Sequence, residues 1–324
     1  MFQVFDRYKI NKSKKMSVSS VKEFVTNGGK FEELKPKAEE NGLLVRELKA
    51  YEYSKSLYLL ASKEAVGVSK LHDSANGAIF EKDSNNLVAE CVNMLYEDLE
   101  PEELNTLLKE NSEPEKVIND NGEEVYSDNP VEYHIEFAED GTMIRLYNFK
   151  DEWHTATTKC IDARNSYWLT DNYSFNEMFY DALQAPDLQK QLDPDYTYCF
   201  ILKHPLNRLV VKHNTAELVF VSKINNKTGQ ETLNLDQEHP GEAELYKHVR
   251  QTVVLPHTLE DTYTVTESWA DSMEYEETRT VTIETSTQTN VNWTKQELEN
   301  TLKRAEMSGF KGLLFVKPNR VTGK

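Results

Sequence analysis

Cysteine is scarce: 324 residues hold three, Cys91, Cys160 and Cys199, widely separated. An odd, scattered set gives neither a disulfide framework nor a zinc cluster and fits a reducing compartment. No apolar run approaches the roughly 18 residues that a membrane-spanning helix needs. The opening MFQVFDRYKINKSKK carries its charges after its apolar residues, without the apolar core of a secretory leader, so an intracellular setting is expected. A Gly-rich phosphate loop is absent, as are the Ser and Cys nucleophile motifs. The eight histidines, His134, His154, His204 and His213 among them, show no ligand spacing beside cysteine or acid, and no metal site is expected from them. Positive charge is short as well: 37 bases face 55 acids, a net −18 whose field repels polyanions, so nucleic acid would need a local basic groove. The plain reading of the acids is a solvated surface that keeps the protein in solution.

What is present reads as alternating short elements. Ser20–Thr26 is predicted helical and stopped by Asn27-Gly28-Gly29, and Phe31–Glu40 is predicted helical and stopped by Asn41-Gly42, because glycine takes the left-handed cap conformation at low cost. Leu43–Tyr53 and Ser56–Ala61 read as strand or short helix. Gly77–Glu81 and Leu87–Val92 read as a hairpin across Asn85-Asn86, since asparagine tolerates positive φ. Pro101–Lys109 is a predicted short helix with proline in its first turn. Asn111–Asn129, acidic and poor in apolar residues, reads as a loop or linker and the seam of the chain.

The stretch Tyr133–Asp162 is central: an acidic Ala-Glu-Asp-Gly turn lies between runs rich in β-branched and aromatic residues, the pattern of an active-site strand pair. Thr142–Tyr147 and Trp153–Thr158 are predicted strands around a turn at 148–152. Ser174-Phe-Asn-Glu177 is a capping box opening a helix whose Phe175, Met178, Phe179, Ala182 and Leu183 share one face, read as core. Tyr196–Leu202, Leu209–Val211 and Leu218–Val221 are predicted strands, with turns at Lys203–Arg208 and Asn225–Gly229. The Thr- and Glu-rich run at 263–292 reads as an edge strand or excursion. A second capping box at Thr294–Glu297 opens a helix that Ser308-Gly309 ends, and Gly312–Val316 is an apolar strand. Trp153, Trp168, Trp269 and Trp293 read as core or edge packing rather than base-stacking platforms.

In this order the elements resemble the bacteriophage RNA ligase family of the nucleotidyltransferase superfamily, relatives of which occur in large DNA viruses. The likeness is best over Tyr133–Ile224. There Glu139-Asp140-Gly141-Thr142 stands on the family's Lys-x-Asp-Gly turn, and FILKHPLNRLVV, Phe200–Val211, resembles its Glu-bearing strand followed by Pro-x-Asn-Arg-Ile-Val. Weaker likenesses lie at Gly77–Glu81 and Gly312–Lys324. The resemblance implies an α+β fold, with mainly antiparallel sheets flanked by helices around a nucleotidyltransferase (ATP-grasp-like) ligase cleft. Residues 1–125 are expected to contribute to the body and 126–324 to form its core, without a separate C-terminal helical domain. It also implies a lysine that attacks the α-phosphate of ATP, carboxylates that place Mg2+, and further lysines that neutralise charge on the transferred group.

Several of those groups are replaced. The nucleophile position is Ala138, the strand glutamates fall at Ile201 and Lys311, the first residue of the closing Lys-x-Lys pair is Thr322, and the arginine before the hairpin glycine is Asn76. Glu139, Asp140, Gly141, Arg145, Asn207, Arg208 and Lys324 remain as nucleotide-binding candidates by resemblance. The bland roles beside them are Gly141 for a positive φ, Asp140 as turn former and Arg208 as a salt-bridge partner. Lys159, on the returning strand, and Lys311 are the candidates for a relocated nucleophile. The sequence thus reads as a catalytically degenerate RNA-ligase-like protein that binds a nucleotide, an RNA end or a protein partner. Its alternatives are an active ATP- and Mg2+-dependent ligase with a relocated lysine, and an accessory virion component.

Overall fold

In the computed structural model, the structure describes residues 2–4, 20–64, 68–92, 116–118, 124–126, 134–169, 172–185, 187–232, 240–245, 303 and 312–316. Two helices open them, α1 (Val21–Gly28) and α2 (Phe31–Glu40). Ser20 caps α1 by accepting from the Glu23 amide, and Gly29 at φ 87° ends it in a conformation a side chain would resist. A four-stranded antiparallel sheet follows in the order β2 (Leu43–Arg46), β3 (Leu57–Ser62), β4 (Asn76–Glu81), β5 (Leu87–Ala89), with α3 (Lys70–Ser74) between β3 and β4. Asn85 sits at φ 57° in the β4–β5 turn, as its side chain permits.

The central sheet is antiparallel and five-stranded, ordered β10 (Glu152–Thr157), β9 (Thr142–Phe149), β11 (Tyr196–Lys203), β12 (Glu217–Asn225), β13 (Glu231–Thr232). Strands alternate their side chains between faces, and each face here has its own cover. On one, α4 (Phe175–Leu183) packs Phe175, Met178, Phe179, Ala182 and Leu183 onto Ile144, Leu146, Tyr198, Phe200, Leu202 and Phe220. The Ser174–Glu177 capping box that starts α4 is formed from both sides, as the sequence predicts. On the other face Tyr147 and Ala156 meet Leu57, Leu59, Ile79 and Ala89 of the four-stranded sheet. The far side of that sheet is covered by Val21, Phe24, Phe31 and Leu34 of α1 and α2 against Tyr58, Leu60 and Phe80. The fold is α+β, with antiparallel sheets layered between helices. At about 1.5–3 kcal/mol for each fully buried large side chain, these contacts hold the layers. No helix among the described residues is long and apolar enough to cross a membrane.

A third sheet pairs β14 (Gly312–Val316) in parallel with β1 (Phe2–Val4) and antiparallel with β8 (His134–Ala138). This corrects the expected strand pair: the Ala-Glu-Asp-Gly turn does not close a hairpin, because β8 ends in one sheet and β9 begins in another. Asn111–Asn129 is not loop throughout, since β6 (Lys116–Ile118) and β7 (Glu124–Tyr126) pair within it. Leu209–Val211 is bent rather than extended, for a reason seen at the site. The Leu43 strand ends at Arg46, and Tyr53–Ser56 forms a 3-10 turn before β3. A short α5 (Pro240–Leu245) follows β13. The expected elements at 101–109, 263–292 and 294–305 lie outside the described residues, apart from helical Lys303.

Candidate functional site

The crossing from β8 to β9 places four consecutive residues over the end of β11. Ala138 is the last residue of β8, buried, and paired with Gly312. Glu139 turns to Lys203 at the end of β11, with Nζ 3.1 Å from Oε2, and Lys203 also reaches Glu217 at 2.9 Å. Burial pushes the Lys203 amine down, but the hydrogen bond to Glu217 and the charge of Glu139 outweigh it, and the amine is held above its ordinary pKa.

Asp140 is buried, and its Oδ2 accepts from the amides of Val210 at 2.8 Å and Val211 at 2.6 Å. That is why 209–211 is bent: its amides serve a carboxylate, although its β-branched composition reads as strand. His213 closes the arrangement, donating from Nε2 to the Asp140 carbonyl at 2.8 Å.

Gly141 is not in the left-handed region, which corrects the expectation of a positive φ. Its requirement is closeness: a Cβ there would stand 2.4 Å from the Leu202 carbonyl oxygen and 2.6 Å from Cγ2 of Ile201. Thr142 donates to Asn207 Oδ1 at 3.1 Å, and buried Asn207 donates to the Leu202 carbonyl at 3.2 Å, so Asn207 is turned back onto the sheet. Arg145 is fully buried and donates to the carbonyls of Gly77 and Thr157, tying β4 to the central sheet, while its Nε has no hydrogen-bond partner among the described residues. Gly77, at φ 93°, lies so close to Thr158 that a Cβ would stand 2.3 Å from its carbonyl oxygen. Asn76 donates to the Val92 carbonyl at 2.9 Å.

Ile201 faces away from α4, in a cluster with Met143, Cys199, Val221, Cys91 and Val92. The position at which the resemblance calls for a carboxylate is therefore part of an apolar surface. Among the described residues no group of three His, Cys, Asp or Glu could hold a metal ion. Arg208 is exposed and makes no ion pair among the described residues. Lys159 is also exposed, on the turn beyond β10 rather than on the returning strand. Lys311, Thr322 and Lys324 lie outside the described residues. Trp153 and Trp168 pack partly buried against the α4 core.

No protein-family model and no curated protein matches the chain. Solved structures do. Two forms of an archaeal ATP-dependent RNA ligase superpose with TM-scores of 0.44 and 0.40 at 12% and 11% identity, covering 90% and 88% of this chain. An RNA ligase mutant of Naegleria gruberi with ATP and Mn superposes at a TM-score of 0.29 and 9% identity over 44% of this chain. The chain spans 59% and 60% of the length of the archaeal structures and 35% of the Naegleria one. Likeness at this level assigns no residue a role.

Two groupings escaped the sequence reading. Lys203 bridges Glu139 and Glu217, which only strand register could reveal. A clamp joins the sheets where Tyr53 donates to buried Asp162, which also accepts from Arg164 at 2.6 Å, while Arg164 lies 4.0 Å over the ring of Tyr51. Burial pushes the Tyr53 hydroxyl far above its ordinary value, and the hydrogen bond to Asp162 adds to this. The clustered aromatics at 51 and 53 were its one sequence signal.

Proposed function

We propose that this chain is an RNA-ligase-like nucleotidyltransferase scaffold without lysine-adenylate chemistry, acting by binding a nucleotide, a nucleic-acid end or a protein partner. One observation carries the proposal: of the groups retained from the ligase pattern, Glu139, Asp140, Arg145 and Asn207 are committed to internal bonds around a buried Ala138, while Arg208 stands exposed. Glu139 is paired with Lys203, Asp140 with two amides, Asn207 with Leu202 and Thr142, and Arg145 with two carbonyls. Groups committed in this way stabilise the fold and are not presented to a phosphate.

An active ligase would call on ATP and Mg2+. The residues at hand do not suit magnesium, because Ile201 and its neighbours offer methyl and thiol groups where a hard cation needs oxygens. No magnesium-dependent step is assigned. A relocated nucleophile must also be an unprotonated amine. Lys203, the lysine beside the turn, is held protonated by two glutamates, and Lys159 stands off the sheet on an exposed turn. The test is incubation with Mg2+ and α-labelled ATP, then GTP, followed by a denaturing gel. No labelled band is expected, and a band that persists through denaturation would overturn the proposal.

A further inference from the structure

Single exposed apolar side chains are ordinary, but their gathering in one place is informative. Among the described residues six large hydrophobic side chains are exposed, and five of them stand on two loops: Tyr167 (41%) and Leu169 (88%) on one, Leu206 (55%), Leu209 (41%) and Val210 (66%) on the other. The loops adjoin at the end of the central sheet. The Tyr173 ring lies 5.9 Å from that of His204, and Tyr167 is bridged to Ser174.

The second loop is fixed from beneath. Asp140 holds the amides of Val210 and Val211, His213 holds the Asp140 carbonyl, and Asn207 is anchored to Leu202. A surface whose backbone is already ordered loses little entropy when a partner binds. The charge of the second loop also runs against the rest of the chain, although exposed Asp181 lies 3.8 Å from His204 where the loops meet. Residues 204–213 contain exposed Arg208 and Lys212 and no acid, in a protein of net charge −18.

We propose that this rim is the docking surface for an acidic peptide segment of a partner protein. Apolar side chains of the peptide cover Leu169, Leu206, Leu209 and Val210, and its carboxylates face Arg208 and Lys212. Single-stranded nucleic acid asks instead for aromatic stacking platforms. Only Tyr167 of the five is aromatic, and the aliphatic majority suits protein side chains. The inference deepens the binding role proposed above, choosing a protein among its possible ligands, and is independent of whether adenylylation is lost.

The test is selection of random peptides displayed on phage against the whole chain, with one enriched peptide then measured by fluorescence anisotropy. Enrichment of peptides that mix Asp or Glu with Leu, Ile or Phe is expected. Their affinity should fall about tenfold or more in Val210→Glu and in Arg208→Glu, the size of loss typical of an anchor residue, and should weaken with salt. Both positions are exposed, and a thermal melt confirms that each variant folds; Lys190→Ala, remote on an exposed turn, serves as control. The proposal is overturned if no such peptides emerge, or if those that emerge bind Val210→Glu as tightly as the unaltered chain. It is equally overturned if a labelled single-stranded oligonucleotide binds the rim in a manner that Arg208→Glu abolishes and Val210→Glu leaves intact. A covalent nucleotide adduct would sink the loss of adenylylation and leave the peptide result standing, so the two failures are distinguishable.

Discussion

The Asp140 carboxylate and the Val210 amide, 70 residues apart, meet at 2.8 Å, and the same oxygen takes the Val211 amide at 2.6 Å. An acidic residue in the turn that resembles a ligase's catalytic turn is here the buried anchor of a loop. Asp140→Ala removes the acceptor and leaves two amides to find water. A hydrogen bond to a charged group contributes about 1.5–3 kcal/mol, so a loss of about 2–4 kcal/mol of stability is expected from denaturant unfolding. Hydrogen exchange at Val210 and Val211 should accelerate by more than global destabilisation alone would give.

Placing a lysine at position 138 should not confer a reaction. Ala138→Lys places an amine at a buried position at the end of β8, where it must either be desolvated or displace its surroundings. Destabilisation by about 2–4 kcal/mol is expected, with no covalent nucleotide on the purified variant. Thermal melting and intact mass check the two halves separately.

Gly141→Ala tests closeness rather than backbone conformation. The added Cβ would stand 2.4 Å from the Leu202 carbonyl, a backbone atom that cannot swing aside. A cost of about 1–3 kcal/mol is expected on calorimetry. A neutral result would show that the crossing from β8 to β9 can lift from β11.

The same residues show how much of the protein was legible in its sequence. Local chemistry was legible: Ser174 and Glu177 form the capping box they spell, Gly29 ends α1, and the helical face from Phe175 to Leu183 is the core it resembled. Long-range geometry was not. Nothing in Leu209-Val-Val211 shows that its amides are taken by Asp140, and Glu139 gives no local sign that Lys203 will stand opposite. Both depend on which sheet each strand joins, which is fixed by packing across the chain.

Glu90 gives the clearest pH dependence. It is 7% exposed, Oε2 has no hydrogen-bond partner among the described residues, and burial raises its pKa from 4.5 to about 7, with Lys22 opposing and Glu231 adding to the shift. Below about pH 4.5 the folded and unfolded chains both carry the proton, so the group favours neither. As pH rises through 7 the unfolded chain ionises first, and stability falls by about 3 kcal/mol before levelling off above the folded pKa. Glu90→Gln should therefore raise the Tm at pH 8 and leave it nearly unchanged at pH 4. An equal effect at both pH values would show that the carboxyl titrates normally.

The most direct measurement is the intact mass of the purified chain after incubation with Mg2+ and ATP over a range of pH, followed by peptide mapping. A single unmodified species at every pH is the expected result, because Lys203, the amine that meets the turn among the described residues, is held above its ordinary pKa and Ala138 has no amine to offer. An adenylylated peptide containing Lys159, Lys203 or Lys311 would contradict the account and identify the chain as an active nucleotidyltransferase with a relocated nucleophile.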